Sequence, residues 1–342
     1  MRSNGTTPTI DDVAKLAEVS TATVSRCLNT PDSVAKTTRK KVFRAVETLG
    51  YTPNFGARVM AAQRTFTIGA IIPTMVNAIF ARGIQAFQET LHTRGYTLLV
   101  SSHAYCPQME KEQIRTLVGR GADGVLLIGY ERDPQLYKYL EQQGVPALIA
   151  WAYAPHINMP AIGFHNRAGM EMLANHVIAQ GHRRIAYISG VTQGNDRAAE
   201  RLAGLQDALR SHGLPIKALH VAETSFKVEN GETEMHRIMQ TAAPPTVVMC
   251  GNDVLAAGAL RAARARGLEV PRDVSITGFD DIELARVVTP PLTTVHLPHS
   301  EMGKQAATAL IDMIEGGPYP APRALPISVE IRASLGPVPQ QE

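Results

Sequence analysis

Three cysteines in 342 residues, Cys27, Cys106 and Cys250, are too few for a disulfide framework and form no CxxC or Cys/His ligand spacing. Their scarcity excludes a stapled secreted domain and a zinc module, and it fits a reducing cytoplasm. Long apolar runs are missing as well: nothing approaches the roughly 18 apolar residues of a membrane span. The opening MRSNGTTPTIDD has no apolar stretch behind its arginine, so neither a membrane partner nor a secretory signal is expected. The sequence also lacks GxGxxG, a phosphate-loop lysine, GxSxG and HExxH, which argues against the common enzyme classes. Among eleven histidines, His296 and His299 stand three apart without a third ligand. Core or surface roles suit them, and no metal and no cofactor are expected.

What is present is unevenly distributed. The formal net charge of +3 hides a basic first segment, since residues 1–64 hold 10 Lys and Arg against 5 Asp and Glu, and the remainder holds 24 against 26. A small basic module on a nearly neutral body suggests that the first part meets a polyanion. At this length, with 44% apolar residues, two or three folding units are expected.

Residues 9–29, TIDDVAKLAEVSTATVSRCLN, have the spacing of a helix-turn-helix. Thr9 and Asp12 form an S/T-x-x-D/E capping box, so a helix should start at Ile10 and bury Val13, Leu16 and Ala17. Ser20 can cap a second helix that buries Val24 and Leu28 and turns Thr21, Ala22, Ser25 and Arg26 outward. A third helix is predicted from about Lys36 to Leu49, ended by Gly50, with its lysines and arginines near phosphates or simply solvated. The stretch after Pro53 has little apolar surface of its own, which suits either an ordinary linker or a hinge helix that forms only on DNA.

From Phe66 onward, short apolar strands alternate with amphipathic helices in two successive series: FTIGAIIP, TLLVSS, GVLLIG and ALIAW, then RIAYISG, TVVMCG and VSITGFDD. Such alternation implies doubly wound parallel sheets, with a ligand cleft beyond the carboxyl ends of the strands. A solute-binding protein, an enzyme and a regulator all remain compatible with the body taken alone.

The segments DVAKLAEVSTATVSRCLN, VAKTTRKKVFRAVETLGYTPN and ARVMA resemble, in order and register, the lactose-repressor/galactose-repressor (LacI/GalR) family. The resemblance continues through IGAIIP, GADGVLLIG, GHRRIAYISG, ERLAGLQDAL, GNDVLAAGAL, VSITGFDD and PPLTTVHLP. It implies an all-α head at 1–53, a hinge helix at 54–65 and a periplasmic-binding-protein-like α/β body at 66–342. In that body, one subdomain would comprise about 66–163 plus 294–324, and the other about 164–293 plus 325–336. It further implies a homodimeric, cytoplasmic repressor that reads a near-palindromic operator in double-stranded DNA and is released by a small-molecule effector. Action as an activator, or binding only with a co-repressor, is left open.

At the DNA, the resemblance points to Thr21, Ala22 and Arg26 as base readers. Arg26 suits guanine edges, and the two methyl groups suit thymine. Ser20, Thr23, Ser25, Asn29, Tyr51 and Asn54 would hold phosphates, with Thr9 beside them. Met60 stands where the family commonly has a leucine wedge, flanked by Ala57 and Ala61. In the body, Arg201, Asn252 and Asp280 match positions that grip polar ligand groups, and Phe80, Phe164 and Phe226 match pocket walls. Trp151 replaces an aspartate of some sugar-binding members, and Leu297 a common glutamine. Asn195 and Arg197 lead into Arg201, and two arginines four apart at a helix start could hold a carboxylate or phosphate. FARGIQAF, SSHAYCPQMEKEQ and GFHN resemble members that answer to gluconate, so a sugar or sugar acid is the expected effector.

Overall fold

The protein is described from a computed structural model covering residues 7–52, 64–156 and 158–339. Its contacts separate two compact units, residues 1–65 and 66–342.

In the first unit, helices α1 (Ile10–Ala17), α2 (Thr21–Asn29) and α3 (Lys36–Leu49) close around Val13, Ala14, Ala17, Val24, Cys27, Val42, Ala45 and Tyr51. The Thr9 hydroxyl accepts from the Asp12 amide at 3.3 Å, and the Thr9 amide donates to the Asp12 carboxylate at 2.9 Å, which completes the capping box. Ser20 caps α2 by accepting from the Thr23 amide. Gly50 ends α3 in the left-handed conformation, where a side chain would be strained. Two core assignments differ from the sequence reading. Leu16 is 51% exposed, because α1 turns Val13, Ala14 and Ala17 inward and leaves Leu16 on its flank. Leu28 is only partly buried, and Cys27 takes the inner position.

Ala35 stands at the N-cap of α3 and offers no side-chain cap. Replacing Ala35 by Ser is expected to stabilise the head by about 1 kcal/mol. Slower hydrogen exchange in the first turn of α3 of the intact protein would show it, and unchanged exchange would refute it.

The second unit holds two parallel sheets. The first has six strands in the order β11-β5-β4-β3-β1-β2, where β1 is Thr67–Ile72, β2 Thr97–Ser102, β3 Gly124–Ile128, β4 Ala147–Ala150, β5 Ala161–Gly163 and β11 Arg323–Ala324. Every residue of β3 and β4 is buried, as befits central parallel strands covered on both faces. Helices α4 (Ala78–Thr93), α5 (Pro107–Gly119), α6 (Pro134–Gln142) and α12 (His299–Ile314) belong to this half, and α12 packs along α4.

The second sheet runs β7-β6-β8-β9, with β6 Ile185–Gly190, β7 His220–Thr224, β8 Val247–Cys250 and β9 Ser275–Thr277. It is flanked by α7 (Asn166–Ala179), α8 (Asp196–Ser211), α9 (Val228–Ile238), α10 (Asp253–Ala265) and the short α11 (Glu283–Val287). Strand β10 (Thr294–His296) pairs antiparallel with β12 (Ser328–Glu330), and bridges at Thr277–Thr293 and Asp280–His296 join β10 to the second half. The chain therefore passes between halves after β5, again between β10 and α12, and a third time between β11 and β12. Among the described residues, no helix is long and apolar enough to cross a membrane.

Candidate functional site

On α2, Thr21, Ala22, Arg26 and Asn29 are exposed, while Thr23 and Ser25 are half-buried. The Ser25 hydroxyl accepts from the Asn29 amide nitrogen at 3.2 Å, which ties two neighbouring polar groups on one face. Arg26 has no ion pair among the described residues, whereas Arg39 is held by Asp32 at 2.7 Å. Thr9 is exposed beside its cap partner Asp12, and the Tyr51 ring packs into the head core. Asn54, Ala57, Met60 and Ala61 lie outside the described residues.

In the body, the named side chains converge at the carboxyl ends of both sheets, where loops of a doubly wound fold leave a crevice. Trp151 follows β4, Asn166 follows β5, and Gly251, Asn252 and Asp280 follow β8 and β9. Arg201, on α8, is the hub. Its Nε donates to Asn166 Oδ1 at 2.9 Å, Nη1 to the Gly251 carbonyl at 2.5 Å, and Nη2 lies 3.3 Å from Asp280 Oδ1. Its guanidinium sits 4.1 Å above the Phe279 ring centre. Asn166 in turn donates to the Trp151 and Phe164 carbonyls, so one buried network spans the two halves.

Opposite stand the aromatic walls. Phe80 meets Trp151 edge-on at 5.5 Å, and Phe226 faces Tyr105 at 6.4 Å across a cavity of about 450 Å³ that Gln193 and Asn195 also line. A neighbouring cavity of about 370 Å³ shares Tyr105 and Gly194 and reaches His103, Lys111 and Arg197. Asn195 caps α8, and Asn252 Oδ1 caps α10 by accepting from the Leu255 amide at 2.9 Å.

Hydrogen-bonding capacity is left over in this interior. Among the described residues, neither Asp280 oxygen accepts a well-formed hydrogen bond, and Asn252 Nδ2 and Trp151 Nε1 are buried without partners. Native proteins rarely tolerate such groups, since each unmet one costs about 1–3 kcal/mol. Burial raises the Asp280 carboxyl to about 6 against the pull of Arg201 and Arg197. The backbone is strained at the same place: Tyr105, Trp151 and Asp280 all have positive φ. Non-glycine residues in such conformations cost on the order of 1–3 kcal/mol each and concentrate at ligand sites.

Arg197 departs from the sequence reading. Its Nη1 donates to Asp196 at 2.6 Å and to the Ile128 carbonyl at 3.2 Å, while Asp196 accepts from the Tyr130 and Glu131 amides. The two arginines therefore do not form a fork for one anion. Arg197 and Asp196 instead tie the start of α8 to the end of β3, across the crevice. Gly129 allows this approach, with φ of +75° and no room for a β-carbon beside Arg197 and Asp196. Tyr105, Tyr187 and Ser189 are site residues that the motifs did not single out, because aromatic and small polar residues at strand ends carry no spacing signal.

A helix-turn-helix unit followed by a two-lobed α/β body with a polar, aromatic-walled crevice defines a ligand-responsive transcriptional regulator. The family models agree: residues 9–54 match bacterial regulatory proteins of the lacI family, and residues 174–335 match the periplasmic binding protein-like domain. The chain is 36% identical over 312 residues to the HTH-type transcriptional repressor CytR of Escherichia coli K12, covering 91% of each. It is 34% identical over 306 residues to the repressor PurR of Haemophilus influenzae, covering 90% of this chain and 91% of that one. Among solved structures, the lac repressor dimer bound to operator and the anti-inducer ONPF superposes with a TM-score of 0.85 at 27% identity, over 97% of this chain and 100% of that one. A CelR–cellobiose complex superposes at 0.70 with 31% identity, over 96% and 99%. The protein belongs to the LacI family of DNA-binding transcriptional repressors, and it is not an enzyme.

Proposed function

We propose that this repressor acts as a homodimer on a near-palindromic operator and leaves it when a carbohydrate-type effector, a sugar or sugar acid, closes the crevice of the body. The observation that carries the reading is the buried Arg201–Asp280 pair with its surplus donors and acceptors between aromatic walls. Hydroxylated rings need that mixture of directional polar groups and flat apolar faces. Arg201 is the guanidinium that a sugar-acid carboxylate would meet, since Arg197 is held by Asp196 and Ile128. Ligand-driven release follows from differential affinity for two arrangements of the halves, and the Arg197–Asp196 tie is a contact that the two arrangements would make unequally.

Two heads reading successive major grooves would place Arg26 at base edges. Arg26→Ala is expected to weaken operator binding about tenfold or more and to relax selectivity at one position in each half-site. Fluorescence anisotropy with operator variants checks this, and a uniform loss across all sequences would reassign Arg26 to phosphate.

The effector is tested by thermal unfolding of the intact protein against sugars, aldonic acids and their phosphates. A ligand at 100 times its dissociation constant adds about 2.7 kcal/mol. A selective shift that also releases operator supports the reading. No shift and no release with any of these compounds would refute it.

A further inference from the structure

Two polar contacts join the halves of the body directly. Asp196, the first residue of α8, is 4% exposed, and its oxygens accept four N–H groups: the Tyr130 and Glu131 amides of the first half, and the amide and Nη1 of its neighbour Arg197. Its acceptor capacity is thereby filled within the chain. Arg197 Nη1 also donates to the Ile128 carbonyl at 3.2 Å, and the Tyr130 hydroxyl donates to Glu200 Oε1 at 3.3 Å. The first half answers mainly with main-chain atoms of Ile128, Tyr130 and Glu131, so the end of β3 fixes the meeting point. The second contact is the ion pair of Arg82, on α4, with Glu283, on α11. The two contacts leave the second sheet at different strands, since α8 follows β6 and α11 follows β9, with β8 between them. Parting the halves breaks both. They are unequal in strength: the Glu283 side chain is 71% exposed, where ion pairs are weak, whereas Asp196 takes charge-assisted bonds in a buried setting.

We infer that Asp196 is a positioning residue that latches the two halves in the joined arrangement, with Arg82–Glu283 as a second, weaker latch, so that the arrangement an effector favours is already populated by the protein's own contacts. The inference rests on the proposed reading that joining the halves releases operator. An effector then tips a balance that the latches have set, and the latched fraction fixes how tightly it is bound.

The test is hydrogen exchange at the Tyr130 and Glu131 amides of the intact protein with no ligand added. In wild type both amides are expected to be protected, because each donates to Asp196 and is freed when the halves part. Glu283→Gln keeps the size of an exposed side chain and touches neither amide, yet it should speed their exchange about twofold to threefold. Arg82→Gln should do the same, and the double variant should go no faster than either. A merely local role for the ion pair would carry no effect from α11 to the end of β3. Amides that exchange at the free-chain rate in wild type, or at an unaltered rate in Glu283→Gln, would overturn the inference. Asp196→Ala is expected to bind operator about twofold or more tighter than wild type, since no latched fraction is then withdrawn from the operator-binding form. Exchange as expected, with operator affinity unmoved in Asp196→Ala, would leave the latches standing and remove instead the reading that joining the halves releases operator.

Discussion

Arg201→Ala is expected to abolish effector-driven release from the operator while leaving binding to the operator in the absence of effector intact. Arg201 joins Asn166, Gly251 and Asp280 at the centre of the crevice, so its removal takes away a charged donor and misplaces the groups that it orders. Truncating one member of a buried, hydrogen-bonded charge pair costs about 2–5 kcal/mol, equivalent to an affinity loss of roughly 30-fold or more. Stability should also fall, since Asp280 loses the cation that opposes its desolvation and the Asn166 and Gly251 oxygens lose their donor. A loss of about 3 kcal/mol is expected for breaking such a pair. Calorimetric melting measures the second effect, and operator release monitored by anisotropy measures the first. A variant that released operator with wild-type effector dependence would remove Arg201 from the mechanism.

The second large effect is one of pH. Burial holds Asp280 at about 6, above its ordinary 3.8. Below 3.8 the carboxyl is protonated in folded and unfolded chains alike and contributes nothing. As pH rises from 3.8 to 6, the unfolded chain releases the proton that the folded chain keeps, and above 6 the folded protein carries the full penalty of a buried charge. A raised carboxyl of this size corresponds to about 3 kcal/mol.

Whatever Asp280→Asn loses by leaving Arg201 without its carboxylate, the stability of the variant relative to wild type is therefore expected to rise by about 3 kcal/mol between pH 4 and pH 8, most of it between 3.8 and 6. His299 works in the opposite sense. Its depressed value means that stability is lost as pH falls from 6.5 toward 3, because the unfolded imidazole takes up a proton that the folded one refuses. Asp253 is raised by burial and by the neighbouring Asp280 charge, so removing that charge also relaxes Asp253, and the difference between variant and wild type reports the two carboxyls together. Chemical denaturation at pH 4, 6 and 8 gives the curve. A pH-independent difference would show that Asp280 is not desolvated as described. The same variant should lose effector response, because an amide cannot replace two carboxylate acceptors.

These effects show what kind of information local sequence carries. Thr9, Asp12, Ser20 and Gly50 act through hydrogen bonds and dihedral preferences within four residues, so the three head helices were legible, with α3 found at Lys36–Leu49. Strands such as GVLLI are continuously apolar because both faces are covered, and that also reads directly. Strand β7 and helix α9 did not read. HVAET is a half-exposed edge strand with no apolar run, and α9 carries Gly231 amid charged residues because a β-carbon there would strike the Leu255 backbone of α10. Arg197 read as an anion-binding partner of Arg201 because four residues separate them on a helix. Its true neighbour, the end of β3, lies almost seventy residues away in sequence.

By itself, the sequence determined the head, the alternation of strands and helices, and membership in a family of repressors, since periodicity, capping and motif register are properties of neighbours along the chain. The tertiary structure decided which polar groups are buried without partners and that Arg197 ties the two halves together. Those outcomes depend on desolvation and on contacts between residues distant in sequence, and neither quantity exists until the two halves of the body are packed.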